Sequence, residues 1–357
     1  MAVKNHYALN LLGISLIVLI AYLLQDFIIP LIFAIILSVL IFPIVQFFEI
    51  KLKWNRILSI SLSIIIFSII VFAVFILIGI QFEDIMSKSS KYYVQIERKV
   101  TPMLRDLEQL LGVKSRDFVG GGDLKAKEIV KQNSSKILQF LTKSGGILGD
   151  FFLSPLYMFL FLLYRNFLVS FIYKITIGFT TKAKMRHILS QLYIVQQNYL
   201  LGLVSVMVIV GILNSIGLLI LGIEFPFFFG FLCALLLLIP YIGIIIGSIL
   251  PALIALATKD SYWYAVGVIG VFGFIQFLEG NFITPKITGS KVSLNAFVSI
   301  LSIVLFSMLW GIPGMILALP ITASLKVIFD NSRHMKGIGF LLGEANDKYF
   351  STRVKTE

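Results

Sequence analysis

The chain has 357 residues, 58% of them apolar and only 13% charged, with a formal net charge of +12. A soluble domain carries about 25% charged residues, so this composition excludes an ordinary water-soluble fold. The basic balance does not indicate nucleic acid either. Lys and Arg collect between apolar runs, as they do in the cytoplasmic loops of membrane proteins.

The apolar runs fall at 7–24, 27–48, 57–80, 147–173, 199–222, 226–257, 262–284 and 292–329. The third, "ILSISLSIIIFSIIVFAVFILIGI", contains no charge, and about 20 apolar residues suffice to cross a bilayer. The predicted fold class is an all-α polytopic membrane protein with about eight transmembrane helices, some broken or re-entrant, and an extracytoplasmic helical insertion. Residues 1–80 supply three spans, 81–146 the insertion, 147–329 a second membrane region with broken helices, and 330–357 a cytoplasmic tail. The first run lacks a small-residue cleavage site and reads as a retained span. Cys233 is the single cysteine and lies inside an apolar run, where a lone Cys acts as a small hydrophobe.

Loop charges give an orientation. Lys51, Lys53 and Arg56 follow the second run, Lys174, Lys182, Lys184 and Arg186 the fourth, and Lys326, Arg333 and Lys336 the last. The opposite loops offer Asp26, Glu224, Lys286 and Lys291. The positive-inside bias then makes both termini cytoplasmic and places Glu279 toward the outer end of its run. In the insertion, Tyr92, Ile96, Val100, Met103, Leu107 and Leu110 recur at helical steps. "VGGGD" (119–123) breaks that helix, and Asp123 can cap a second one running to about Thr142. The apolar stripe is available for its partner helix, the membrane surface or a neighbouring subunit.

Two runs exceed one crossing. Residues 226–257 contain "IPYIG" (239–243) and Pro251, and residues 292–329 contain "WGIPG" (310–314). Proline removes a helix donor and clashes with the preceding turn. Each run is therefore kinked or a re-entrant hairpin followed by a span, and both options preserve the parity of the topology. Gly243 and Gly247 lie one turn apart, a spacing that allows close helix packing.

The most chemical stretch is "FIQFLEGNFITPKITGSK" (274–291). Gln276 and Glu279 share a helix face, with Asn281 close by and Pro285 and Gly289 expected to end the helix. One reading makes Glu279 an interfacial acid paired with Lys286. The other has Gln276, Glu279 and Asn281 face a polar cavity beside freed backbone groups, as broken-helix ends do in secondary transporters. Asn214 and Asn198, with Ser154 and Pro155, are weaker candidates for the same cavity.

Other chemistry has no sequence basis. No GxxxxGK[ST] occurs, so a P-loop is not available to this chain. His6, His187 and His334 are scattered through charged flanks and make no metal-ligand spacing. No cofactor, metal or catalytic set is predicted, and the chain is not read as an enzyme.

The order "IPYIGIIIGSILPALIAL" (239–256), "QFLEGNFITPKITGSKVSLN" (276–295) and "GIPGMILALPITASLKVIF" (311–329) resembles the autoinducer-2 exporter family, the PerM-like bacterial permeases. The matching positions are Pro240, Gly243, Gly247, Pro251, Gln276, Glu279, Asn281, Pro285, Gly289, Gly311, Gly314 and Pro320, with Pro313 inside the third stretch. Ala296 stands where the family pattern often has proline. The resemblance implies a multi-pass bacterial inner-membrane protein, homo-oligomeric, that moves a small polar solute or ion through the lipid bilayer without an ATPase subunit. Family members are described as exporters of autoinducer-2 or as sodium or lithium–proton antiporters. A neutral signal would use Gln276, Asn281 and Asn214, whereas antiport would use the Glu279 carboxylate. A non-transporting envelope scaffold acting through the 81–146 insertion is the third alternative.

Overall fold

A computed structural model describes residues 7–111, 145–178, 180–238, 242–288 and 294–344. Among these residues all regular structure is helical. The α-helices are α1 (Tyr7–Leu23), α2 (Gln25–Gln46), α3 (Arg56–Leu111), α4 (Gly145–Leu163), α5 (Arg165–Thr176), α6 (Lys182–Ile220), α7 (Pro226–Leu236), α8 (Ile242–Thr258), α9 (Trp263–Leu278), α10 (Thr284–Thr288), α11 (Ala296–Asn331) and α12 (Lys336–Leu342). Two π turns, Phe47–Lys51 and Glu279–Ile283, extend α2 and α9. Five described helices are long and apolar enough to cross a membrane, or six when α4 and α5 count as one bent span. The chain is a polytopic all-α membrane protein.

The chain divides into two compact units. One comprises residues 1–67, 148–201 and 290–357, and the other residues 68–147 and 202–289.

In the first unit, Ile36, Leu200, Trp310 and Leu317 form one apolar cluster, and Ala34, Ile41, Ile60 and Met158 belong to another. Helix α1 packs through Ala21 near its end, while its other apolar side chains are largely exposed. The fourth apolar run is not straight: α4 ends at Leu163, and α5 leaves at 69°.

The last run folds back on itself at Gly311, whose φ of 63° and ψ of −137° are non-helical. A side chain is strained at this positive φ and glycine is not. Pro313 follows within the next turn of helix. A β-carbon on Gly314 would strike the carbonyl of Phe306, a residue that a straight helix would hold about 12 Å away at 1.5 Å per residue. At the other end, the Asn295 amide donates to the carbonyls of Leu341 (2.6 Å) and Gly343 (2.9 Å). Its Oδ1 accepts from the Val298 N–H at 2.8 Å, capping α11. Both ends of α11 therefore lie at one end of the unit, with Trp310 at the tip. This corrects the parity expected for 292–329: the run returns to the end it started from. Pro320 does not break the second arm. Its carbonyl accepts from Gln196 Nε2 at 2.6 Å, and the same amide donates to Ser324 Oγ at 2.6 Å.

Helix α3, whose residues from Ser68 onward belong to the second unit, passes through the expected boundary at residue 80 without a break and has 56 residues in all. Tyr92 and Ile96 of the predicted stripe pack with Phe228, Phe229 and Ala255. Tyr92 donates to Glu224 Oε2 at 2.6 Å. Lys99 donates to the Leu256 carbonyl at 3.0 Å and to the Lys259 carbonyl, placing a cation at the C-terminus of α8, where the helix dipole favours one. The side chains of Met103, Leu107 and Leu110, and the second insertion helix, lie outside the described residues.

Helices α7 and α8 form a hairpin. Gly243 approaches Leu236 and Leu237, and Gly247 approaches Cys233, so contacts move apart in sequence away from the turn, as antiparallel pairing requires. With 11 residues, α7 is about 16 Å long, too short for a core of about 30 Å. Gly243 and Gly247 serve as close-contact points. Pro251 is fully buried within an unbroken α8. Pro240 lies outside the described residues.

Gly314→Ala is expected to destabilise the fold by about 1–3 kcal/mol, as overpacking does, read as a lower midpoint in thermal unfolding of the detergent-solubilised protein. Gly79→Ala, where an added β-carbon meets nothing within 4 Å, should leave that midpoint unchanged or raise it slightly.

Candidate functional site

Helix α9 is apolar until Gln276, and there its register changes. Residues Glu279–Ile283 form a π turn, with the Thr284 N–H bonded to the Glu279 carbonyl. An i to i+5 turn brings residues five apart over one another, so Thr284 stands above Glu279, a placement that an α-register would not give. Gln276 approaches from the preceding turn. Its Nε2 donates to Glu279 Oε2 at 2.7 Å, and the Thr284 hydroxyl donates to Glu279 Oε1. Each carboxylate oxygen thus has its own donor, and all three side chains are half-buried.

Pro285 does not end the helix as expected, since α10 continues to Thr288. In an α-register its ring would strike the carbonyl of Asn281, and the extra residue of the π turn absorbs that conflict. Gly289 lies outside the described residues.

The depth of the cluster follows from α6. Gly217 faces Val271, while Val206 and Val210 share a cluster with Ile275, Ile283 and Ile287. The helices run antiparallel, and Glu279 lies alongside α6 between the levels of Val206 and Gly217. Those levels are interior to the 199–222 apolar run, so the carboxylate packs alongside apolar helix. The end of α9 that carries Glu279 is also the one away from Lys99, Tyr92 and the extension of α3. Lys286, in α10, follows the π turn at that same end. Glu279 and Lys286 form no ion pair; among the described residues the ion pairs are Arg165–Glu49 and Lys326–Asp330.

The other candidates are placed separately. The Asn281 amide donates to the Phe277 carbonyl at 2.9 Å, and the residue is exposed beside Phe277 and Phe282. Asn214 is 2% exposed, and its Oδ1 has no hydrogen-bond partner. Ser215 beside it is also buried and donates to the Gly211 carbonyl at 2.7 Å. Among the described residues no group of three or more His, Cys, Asp or Glu side chains is placed to hold a metal.

Sequence reading missed Thr284, because its contact depends on a π turn whose only sequence signals are Gly280 and Pro285. It also missed Gln196 and the Tyr92–Glu224 pair, which join residues more than 100 positions apart.

The arrangement holds a carboxyl group within an apolar helix and leaves its remaining lone pairs for a polar solute or cation. The sequence model described as AI-2E family transporter matches residues 11–334. "Putative transport protein YhhT" of Escherichia coli is 22% identical over 96% of this chain and 95% of its own length. "Putative transport protein YrrI" of Bacillus subtilis is 35% identical, but over 39% of each chain. "AI-2 transport protein TqsA" of E. coli is 28% identical over 42% of this chain and 43% of its own. For YrrI and TqsA, the match thus spans only about two-fifths of the relative. With the family match covering nearly the whole sequence, this chain of broken apolar helices, which carries a half-buried carboxylate at the end of α9, belongs to the AI-2E transporter family.

Proposed function

We propose that this protein is a secondary transporter or facilitator that exports a small polar solute, an autoinducer-2-like signalling molecule, across the bacterial inner membrane. The observation that carries this reading is the Gln276–Glu279–Thr284 cluster on a π turn within an apolar helix. Ionisable and polar groups within an apolar span are costly and cluster along solute pathways, and π turns recur at functional sites. A polyhydroxylated solute suits this cluster, since its hydroxyls can accept from Gln276 and donate to Glu279. Asn214, with an unpartnered buried oxygen, and Asn281 are further proposed contacts. The name of TqsA supports autoinducer-2 as the solute class. Both termini are proposed to be cytoplasmic, and the protein to act as a homo-oligomer.

A second reading, sodium or lithium–proton antiport, is favoured by one feature: the only carboxylate in α9 and its π turn is Glu279. Such exchange needs a group that binds cation and proton in turn. The scaffold reading gains no similar support, because Tyr92 and Ile96 of the insertion stripe are engaged within the chain.

The two transport readings separate at one residue. For signal export, Glu279→Gln should retain transport within about threefold, and Gln276→Ala should reduce it by about 1–3 kcal/mol, the cost of leaving a buried partner unpaired. For antiport, Glu279→Gln should abolish sodium- or lithium-dependent proton movement at unchanged membrane abundance. The assay is solute or proton flux in proteoliposomes; wild-type flux in both variants would remove the cluster from the mechanism.

Orientation has its own test. A cysteine replacing Thr101 should react with a membrane-impermeant maleimide added to intact spheroplasts, and one replacing Lys336 only after permeabilisation. The reverse pattern would invert the proposed topology.

A further inference from the structure

The basic end of the first unit carries a surface that the transport reading does not use. The turn joining α2 to α3, Phe47–Asn55, puts Lys51 and Lys53 beside exposed apolar side chains. Ile50 is 68% exposed and Trp54 43% exposed, and Trp54 stacks on Phe48 at 5.2 Å. Lys53 adopts a left-handed φ of 55°, a conformation that costs a non-glycine residue energy and separates Leu52 from Trp54 along the turn.

Two arginines border this turn. Arg165 pairs with Glu49 at 2.7 Å and stacks on Phe42 at 5.1 Å, and Arg56 donates to the Leu162 carbonyl at 2.8 Å. Arg165 Nη1 and Arg56 Nε have no partner in the protein. Glu49 is the one acid among Lys51, Lys53, Arg56 and Arg165, so the patch keeps an excess of positive charge.

Helix α5 begins at Arg165 and leaves α4 at 69°. Of its four rows at i, i+4 spacing, one holds Arg165, Val169 and Tyr173, and the other three differ in character. Leu168, Ile172 and Thr176 are half-buried, Asn166, Ser170 and Lys174 are exposed and polar, and Phe167, Phe171 and Ile175 are exposed and apolar. An apolar stripe beside a polar one on an exposed helix is the pattern of a helix lying in the membrane interface. Exposed Trp beside Lys belongs to the same zone.

We propose that this end of the first unit binds the headgroup of an anionic glycerophospholipid. Lys51 and Lys53, with the fields of Arg56 and Arg165, hold the phosphate, and the acyl chains run past Phe167, Phe171 and Ile175. Charge complementarity selects the anionic headgroup, since basic clusters between membrane helices recognise such lipids. The adjoining apolar stripe selects a lipid over a free phosphate.

Native mass spectrometry of the full-length protein in detergent tests this, with phosphatidylglycerol and phosphatidylcholine as probes. Wild type should retain phosphatidylglycerol at least fivefold more than phosphatidylcholine. Lys51→Gln/Lys53→Gln, which alters exposed positions only, should erase that preference while leaving the melting temperature in lipid-free detergent unchanged. Phe167→Ser/Phe171→Ser should weaken phosphatidylglycerol retention with the charges intact. Equal retention of the two lipids by wild type, or an undiminished preference in the lysine variant, would overturn the site. Displacement of phosphatidylglycerol by millimolar inorganic phosphate would overturn the lipid as its occupant.

Discussion

Hydrocarbon gives a peptide group nothing to hydrogen-bond with, and each unsatisfied group costs several kcal/mol there. The departures from α-helix in this chain are arranged around that constraint. The fold-back at Gly311 is closed at its base by the Asn295 side chain, which meets carbonyls at the end of α12. The carbonyl of Pro320 receives the Gln196 amide. The π turn keeps its own backbone bond from Thr284 to Glu279. The π turn thus satisfies its own carbonyl, while the Asn295 and Gln196 amides hold helices together around the fold-back.

The carboxylate in α9 obeys the same logic. Placing an acid within a span costs up to roughly 2.5–3.5 kcal/mol on insertion scales. Hydrogen bonds to a charged group contribute about 1.5–3 kcal/mol each, and Glu279 receives two, from Gln276 and Thr284. Two bonds of this size offset the insertion cost. The carboxylate can therefore stay in place without a cationic partner, and Lys286 remains apart from it.

The helical class and the apolar runs were legible because each follows from local composition, whereas of the expected breakers Gly311 interrupts its helix and Pro251, Pro285 and Pro320 do not. "WGIPG" read as an interruption, and the chain does reverse there; Gly243 and Gly247 read as packing positions, and they meet Leu236 and Cys233. The direction of α11 was not legible. It depends on Asn295 reaching Leu341, a contact across 46 residues that no local pattern encodes. Parity counting assumed that a long run must cross. Thr284 was invisible for a different reason: helical-wheel arguments presuppose 3.6 residues per turn, and the π turn departs from that period. The continuity of α3 was hidden because hydropathy changes at residue 80 while helix propensity does not.

The hydrogen bond from Trp310 to the Ala21 carbonyl, 3.0 Å long, has a consequence for the order in which the protein assembles. It joins residues 289 positions apart, so α1 leaves the ribosome long before its partner exists. The Asn295 clasp is likewise completed only once Gly343 has been made. Helix α1 thus waits for this contact until Trp310 has been made, and until then it depends on the lipid around it. Its nearly uninterrupted apolar surface lets it wait there.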